Sequence, residues 1–135
     1  MLCTVERQLS VAIENQPGRL AAIARLLASN NINIRSLSVL DNIEQGMIRF
    51  IPSNAALAKE LLIRSGLYVV EADVLAVAAR DVPGELARIG DSLAEARINI
   101  DYAYGTDDAP EQAMRIILKV SNIKAAADVL SALHP

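Results

Sequence analysis

Hydrophobic residues recur along this chain with two spacings, one typical of strands and the other of helices. Leu9, Val11 and Ile13 alternate with less hydrophobic neighbours, as expected for a half-buried strand. Apolar residues from Leu20 to Leu27 then recur at helical spacing. The alternating pattern returns over residues 32–40, which predicts a second strand.

The succession of patterns continues through residue 70. A polar turn over 41–46 separates the second strand from a third over 47–51. Residues 55–64 predict a second helix, closed at Gly66 because glycine favours the left-handed conformation found after helix ends. A short apolar segment, 67–70, predicts a fourth strand. The predicted order of elements is therefore βαββαβ.

A second copy of this pattern lies 66 positions further along the chain. The shift pairs Leu9 with Leu75, Pro17-Gly18 with Pro83-Gly84, and Ile32-Asn33-Ile34 with Ile98-Asn99-Ile100. After a two-residue insertion the shift becomes 68 and pairs Ser53-Asn54 with Ser121-Asn122. Because the match runs through loops as well as apolar positions, it indicates a duplication. We expect two units, residues 1–72 and 73–135.

Each unit is expected to form an α+β, ferredoxin-like sandwich. Right-handed crossovers place both helices of a βαββαβ unit on one face of an antiparallel sheet. The second unit is expected to lack its last strand, since the sequence ends at Pro135 after a helix over 123–133. Because an unpaired apolar edge favours association, we expect Val74–Arg80 to pair with a strand from the other repeat or from a second chain. Residues 71–73 contain no Gly or Pro, so 67–80 are compatible with one long strand.

The duplicated loop, Asn15-Gln16-Pro17-Gly18-Arg19-Leu20 in the first unit, opens the first helix of each unit. A helix N-terminus favours a carboxylate through its unpaired N–H groups and the helix dipole, and glycine lets a ligand approach the backbone. An oxygen of Asn15 or Asp81 can accept from an ammonium, and Asn33 or Asn99 offers a further amide. These groups suit a small zwitterion. The alternative is an Asx-turn or helix cap that binds no ligand.

Composition and charge narrow the class of protein. Apolar residues make up 53% of the chain and aromatic residues 3%, which predicts an aliphatic core, and the net charge of -3 gives no reason to expect nucleic-acid binding. The apolar segment 67–79 is interrupted by Glu71 and Asp73 and is too short to span a bilayer. A single cysteine, Cys3, suits a reducing compartment. We therefore expect a soluble, cytoplasmic protein with no membrane partner.

No residue pattern in the sequence indicates catalysis. His134 has no Cys or Asp partner at metal-ligand spacing. The acidic segment 107–111 lacks the spacing of a calcium loop and is interpreted as a solvated hairpin tip. The sequence contains no P-loop, nucleophile elbow or dinucleotide fingerprint. We expect no catalytic residue, no metal and no cofactor, and hence a protein that is not an enzyme.

The spacing from the Asn/Asp-x-Pro-Gly-x-Leu loop to the Ile-Asn-Ile segment, present in both repeats, resembles the ACT domain, a regulatory module that commonly binds amino acids. The resemblance covers residues 5–72 and 73–135. It implies a stand-alone tandem ACT protein in which an amino acid binds at the interface between ACT units, near the Pro-Gly loops, and acts allosterically.

By position, the resemblance assigns ligand-binding roles to seven residues in each unit. In the first unit they are Asn15, Gln16, Gly18, Arg19, Leu20, Ile32 and Asn33. In the second unit they are Asp81, Val82, Gly84, Glu85, Leu86, Ile98 and Asn99. Some serine-binding members have a His where this chain has Ile13 or Ala79, which puts that specificity in doubt. Because Arg19 is cationic whereas Asp81 and Glu85 are anionic, we expect the first loop to suit a whole zwitterion better.

The resemblance also implies partners. They are a free amino acid as ligand and further copies of the chain in a homodimer or higher homo-oligomer. The first half is similar as well to the small regulatory subunit of acetolactate synthase, so one alternative is a regulatory subunit of an amino-acid biosynthetic enzyme. The other alternative is an oligomerisation module without a ligand.

Overall fold

A computed structural model describes residues 1–14, 16–41, 45–108 and 113–134 of the chain, with no side chains described at 106–108. The described residues form six strands and four helices in the predicted order. Their bounds are β1 Leu2–Ile13, α1 Arg19–Ser29, β2 Ile34–Asp41, β3 Gly46–Pro52, α2 Ala55–Arg64, β4 Val69–Arg80, α3 Glu85–Glu95, β5 Ile100–Asp108, β6 Ala113–Val120 and α4 Ile123–Ser131. The predicted turn at 41–46 and hairpin tip at 107–111 fall partly outside the described residues.

The chain divides into two compact units, and the divisions lie inside β1 and β4. One unit is Arg7–Ala72, and the other combines Met1–Glu6 with Asp73–Pro135. The expected boundaries, 1–72 and 73–135, follow the sequence repeat, whereas the compact units place the first six residues with the second repeat. We call the two compact units the N-unit (7–72) and the C-unit (1–6 with 73–135).

The N-unit has a sheet in which β3 lies between β1 and β2, antiparallel to both. Cross-strand partners share a face, so the pairs Leu9–Phe50 and Val11–Ile48 present four apolar side chains on one side. Helices α1 and α2 cover that side with Ile23, Leu27, Ala58 and Leu62, all buried. The α+β, ferredoxin-like packing of helices on one sheet face is confirmed.

The C-unit repeats this plan with β6 between β4 and β5. Its pairs Leu75–Leu118 and Val77–Ile116 occupy the places of Leu9–Phe50 and Val11–Ile48 in the N-unit. Helices α3 and α4 complete the core with Ile89, Leu93, Ala126 and Leu130, all buried. Aliphatic side chains fill this core, as the composition predicts.

The strand that the second repeat lacks is supplied by the first residues of the chain. Strand β1 is the neighbour of β4, and its residues 2–6 belong to the C-unit, where Met1 and Cys3 pack against the core. Of the two partners expected for Val74–Arg80, the structure therefore shows a strand from the other repeat. Strand β4 is also continuous from Val69 to Arg80, in line with the long strand expected over 67–80.

Asn54 and Asn122, which are equivalent in the sequence repeat, cap the N-termini of α2 and α4. Asn54 caps α2 by accepting from the backbone N–H of Leu57 at 3.1 Å, and Asn122 caps α4 by accepting from that of Ala125 at the same distance. These caps explain why Ser-Asn recurs in the sequence repeat.

Within the described ranges, the structure contains no helix of the length and apolarity needed to cross a membrane.

Glu71 joins β4 to two other elements of the N-unit. Lys59 Nζ donates to Glu71 Oε1 and Arg7 Nε donates to Glu71 Oε2, both at 2.6 Å. The hydrogen bond from Lys59 and then that from Arg7 hold the pKa of Glu71 below its usual value. Because the folded state depresses this pKa, the carboxylate stabilises the fold above the ordinary carboxyl pKa, and that contribution is lost as the pH falls through the lower folded value.

We therefore expect Glu71→Gln to lower the free energy of unfolding at pH 7 and to make no difference below the folded-state pKa of Glu71. Urea denaturation of both proteins from pH 7 down to pH 3 measures the difference. Glu60→Gln is the matched control, since Glu60 is exposed and pairs only with Arg64 one helical turn away among the described residues. Equal pH dependence for the Glu71→Gln and Glu60→Gln variants would contradict the prediction.

Candidate functional site

A cleft of about 460 Å³ opens in the N-unit beside the first Pro-Gly loop. This volume lies within the range of about 300–1,000 Å³ that is typical of small-molecule sites. Four parts of the N-unit form its walls: the end of β1, the first turns of α1, Gln45 before β3, and the segment joining α2 to β4. The lining residues are Ala12, Ile13, Glu14, Arg19, Ala22, Ile23, Leu26, Gln45, Ser65, Gly66, Leu67 and Tyr68.

The Pro-Gly turn places a cation at the mouth of this cleft. Gly18 has a φ of 88°, a left-handed backbone conformation that residues other than glycine rarely adopt. Helix α1 begins at the next residue, Arg19. The chain thus leaves β1, turns sharply, and starts the helix with an arginine directed back to the strand end.

Arg19 holds two acceptors together at that mouth. Its Nη2 donates to Glu14 Oε2 at 3.0 Å and to Gln16 Oε1 at 3.1 Å. The two charged side chains remain open to solvent, with 49% of Arg19 and 68% of Glu14 exposed. A cationic and an anionic group therefore stand side by side, accessible to a ligand.

The inner wall of the cleft is apolar. Ile23 is buried, and Ile13, Leu26 and Leu67 are half-buried, so their side chains form a surface that a hydrocarbon group can contact. Tyr68 is 74% exposed and stands at the rim. The cleft thus combines a charged mouth with a hydrophobic wall.

The second Pro-Gly loop has the same turn but the opposite charges. Gly84 has a φ of 92°, and α3 begins at Glu85. Glu85 corresponds to Arg19 in the repeat, and Arg80 corresponds to Glu14. The ion pair between the strand end and the first helical residue is therefore present in both units with its signs exchanged.

Glu85 is buried, unlike its counterpart Arg19. It is 3% exposed, and its Oε2 accepts from the backbone N–H of Arg80 at 2.9 Å. Arg80 Nε lies 3.5 Å from Oε2 and Arg88 Nε lies 3.2 Å from Oε1. Arg88 also donates to the carbonyl of His134. The second loop thus already contains a carboxylate, supplied by the chain itself.

The structure brings only part of the predicted set together in the N-unit. Arg19 lines the cleft, while Gln16, Gly18 and the exposed Leu20 lie in or next to the turn. Asn15 lies outside the described residues. In the C-unit, Asp81, Val82, Gly84 and Leu86 are exposed around the equivalent turn.

Asn33 and Ile32 lie at the opposite end of the sheet from the Pro-Gly loop. Ile13 pairs with Gly46 at one end of β3, and Ile34 pairs with Pro52 at the other end. Six residues of strand correspond to about 20 Å. Within one unit Asn33 therefore lies far from Arg19, and the expected use of both residues in a site between ACT units stays a prediction. Ile98 and Asn99 are separated from the second loop in the same way, since Arg80 pairs with Ala113 and Ile100 with Val120.

The two asparagines have a structural role where they lie. The backbone N–H of Asn33 donates to Ser53 Oγ at 2.9 Å, and that of Asn99 donates to Ser121 Oγ at 3.0 Å. Ser53 and Ser121 return a backbone hydrogen bond to the carbonyls of Asn33 and Asn99. These bonds fix the junction between helix and strand, and they explain why serine recurs at 53 and 121, since the asparagines contribute only backbone groups.

The alternative of an Asx-turn or helix cap is tested only in part by the described residues. Gly18 and Gly84 occupy the N-cap positions of α1 and α3, and neither helix has a side-chain cap. Asp81 lies exposed three residues before Gly84. Asn15, the residue expected to form an Asx-turn or cap in the first loop, lies outside the described residues.

Cys3 is not among the residues that line the cleft, and burial raises the pKa of its thiol in the C-unit. No three His, Cys, Asp or Glu side chains cluster as metal ligands in the part of the chain that the structure describes. Arg19 is the lining residue that the sequence predicted, and the polar lining residues that it did not predict are Glu14, Gln45, Ser65 and Tyr68. The exchange of charges between Glu14/Arg19 and Arg80/Glu85 was a sequence signal for Glu14, whereas Tyr68 had none.

Comparison with known proteins identifies a family and several solved structures of similar fold. The sequence matches the family model described as an ACT domain pair over residues 3–131. No match was found among curated proteins. Protein BT0572 from Bacteroides thetaiotaomicron is similar in structure, with a TM-score of 0.87 and 29% identity over 96% of this chain and 88% of that chain.

Two regulatory subunits have the same fold at lower identity. The regulatory subunit of aspartate kinase from Thermus thermophilus, in its ligand-free form, has a TM-score of 0.73 and 16% identity over 97% of this chain and 96% of that chain. The one from Thermus flavus has a TM-score of 0.67 and 18% identity over 96% and 94% of the two chains. At these identities the likeness concerns the fold.

Proposed function

Because the chain belongs to the ACT domain pair family, we propose that it is a non-catalytic regulatory protein that binds a free amino acid in the cleft beside its first Pro-Gly loop. The observation that carries the proposal is the pair formed by Arg19 and Glu14 at the mouth of that cleft. A guanidinium is suited to a carboxylate, and a carboxylate is suited to an ammonium. The arrangement matches the two charges that every free amino acid has.

We propose one ligand per chain. Glu85 places a buried carboxylate at the start of α3, where its charge opposes the approach of a second carboxylate. Arg19 at the start of α1 has the opposite charge and is accessible. These charges support the N-unit cleft as the better candidate site.

Regulation requires a partner or an assembly that responds to the ligand. Strand β2 is an edge strand of the N-unit, and its Leu37, Val39 and Leu40 are exposed. An exposed apolar edge favours pairing with another strand, which supports a homodimer or higher homo-oligomer. An amino-acid biosynthetic enzyme is the alternative partner, supported by the fold shared with aspartate kinase regulatory subunits.

A thermal-shift screen of the twenty standard amino acids tests the proposal. A ligand that binds only the folded state stabilises it by about 2.7 kcal/mol at a hundredfold excess over Kd. We expect at least one amino acid to raise the melting temperature, and Arg19→Ala to remove the shift. Arg25→Ala is the matched control, because Arg25 lies exposed on the same helix and does not line the cleft.

The oligomeric state is measured by light scattering in the same samples, so that a dissociated protein is not mistaken for one without a site. Titration calorimetry gives the stoichiometry, which we expect to be one ligand per chain. No shift with any amino acid, in protein of confirmed oligomeric state, would rule out the sensor and leave the oligomerisation module.

A further inference from the structure

We infer that the ligand of the cleft is an α-amino acid with an apolar side chain, held through both of its backbone charges by Arg19 and Glu14. The inference rests on the proposed function and specifies the class of ligand. It depends on two features of the N-unit, namely the free positions on the ion pair and the aliphatic residues that line the cleft.

The ion pair leaves positions free for a zwitterion. In the described part of the chain, Arg19 uses only Nη2 in its hydrogen bonds, and Glu14 uses only Oε2. Arg19 Nε and Nη1 are therefore available to a ligand carboxylate, and Glu14 Oε1 is available to an ammonium. The α-carboxylate and the ammonium of an amino acid are attached to one carbon atom and therefore lie close together. Arg19 and Glu14 are similarly close, since Arg19 Nη2 lies 3.0 Å from Glu14 Oε2, so one ligand can contact both side chains.

Rearranging the ion pair also costs little free energy. Both side chains are about half or more exposed, and an exposed ion pair contributes little to the stability of a fold. Arg19 and Glu14 can therefore separate to admit a ligand between them, or remain in contact and bind it alongside. In either case the ligand gains charge-assisted hydrogen bonds at the mouth.

The lining of the cleft favours a hydrocarbon side chain. Away from the mouth, a ligand side chain meets Ala22, Ile23, Leu26, Ile13 and Leu67. Of the polar lining residues, Arg19 and Glu14 bind the charges of the ligand backbone, and the hydroxyl of Ser65 already donates to the carbonyl of Leu61 at 3.0 Å. Gln45 and Tyr68 are the other polar side chains in the lining. An apolar ligand side chain gains from burial against the aliphatic residues, whereas a polar one loses its water and regains a hydrogen bond only where it reaches Gln45 or Tyr68.

Titration calorimetry with named amino acids tests the class of side chain. We expect L-leucine, L-isoleucine, L-valine, L-methionine or L-phenylalanine to include the tightest ligand. L-asparagine has nearly the shape of L-leucine with a polar end, and we expect it to bind at least about tenfold more weakly than the tightest apolar ligand. If L-asparagine, L-aspartate or L-lysine binds as tightly, the apolar class is wrong while the proposed function stands.

Derivatives of the tightest ligand test each backbone charge. The carboxamide removes the negative charge and the N-acetyl derivative removes the positive charge, and we expect each change to weaken binding at least about tenfold. Arg19→Gln should weaken the amino acid but leave the carboxamide nearly unaffected, and Glu14→Gln should do the same for the N-acetyl derivative. This crossed dependence distinguishes direct contact from a general loss of the site.

Two results would overturn the assignment of the charges. One is a carboxamide or N-acetyl derivative that binds as tightly as the free amino acid. The other is an Arg19→Gln variant that weakens the carboxamide and the free amino acid equally. If no amino acid binds at all, the proposed function itself fails, and the two failures are thereby distinguished.

Discussion

Deleting residues 1–6 is expected to destabilise the C-unit by several kcal/mol, although these residues lie outside the second sequence repeat. The deleted segment is the part of β1 that lies beside β4, and its Met1 and Cys3 pack against the C-unit core. Each backbone hydrogen bond contributes about 0.5–1.5 kcal/mol, and a whole domain is stable by only about 5–15 kcal/mol. The loss of one strand therefore removes a large part of the total.

Hydrogen exchange measures this effect residue by residue. In a chain that begins with Met followed by Arg7, we expect the amides of Val74–Arg80 to lose protection and the melting temperature of the C-unit to fall. Leu2→Ser is the control, because Leu2 is largely exposed and substitutions of that kind change stability by less than about 0.5 kcal/mol. Unchanged protection in the shortened chain would show that β4 does not depend on residues 1–6.

Gly105→Ala is expected to destabilise the C-unit by about 1–3 kcal/mol, the usual cost of forcing an extra carbon into a filled space. Gly105 lies in β5 opposite Ile116, and a Cβ atom at this position would meet the carbonyl oxygen of Arg115 at 2.6 Å. Because the obstacle is backbone rather than a flexible side chain, β5 and β6 must move apart. Urea denaturation measures the change as a lower midpoint with an unchanged slope.

Gly90→Ala in the same unit is the matched control, and its expected effect has the opposite sign. Gly90 lies in α3, and a Cβ atom added there would have no heavy atom of a neighbouring element within 4 Å, so alanine fits without a clash. Alanine is preferred over glycine inside a helix by about 1 kcal/mol. A loss of stability for Gly90→Ala as large as that for Gly105→Ala would show that the close contact at Gly105 is not the cause.

The helices and most strands were predictable because their signals are local. The spacing of Leu20–Leu27 fixes one face of α1, and the alternation in Leu9–Ile13 fixes one face of β1, whatever lies elsewhere in the chain. Helix α2 begins and ends at the predicted residues, Ala55 and Arg64. The extension of β1 back to Leu2 was not predicted, because residues 2–6 lie beside β4, which is distant in the sequence.

The candidate site was predictable only in part, for a related reason. The Pro-Gly turn and the opposite charges of Arg19 and Glu85 are properties of short segments, so the sequence repeat was enough to compare them. The position of Asn33 depends on which end of β2 lies beside which end of β3, and antiparallel pairing carries it away from the loop. Tyr68 reaches the cleft from the segment that joins α2 to β4, 49 residues after Arg19.

The sequence by itself determined the duplicated βαββαβ order, the aliphatic core and the exchange of charges between the two Pro-Gly loops. Each of these follows from residues that are near one another in the chain. Only the tertiary structure decided that residues 2–6 complete the C-unit, that Asn33 and Asn99 join helix to strand, and that Glu85 is buried while Arg19 opens onto a cleft. These outcomes depend on strand register and on packing between distant segments, which local patterns do not encode.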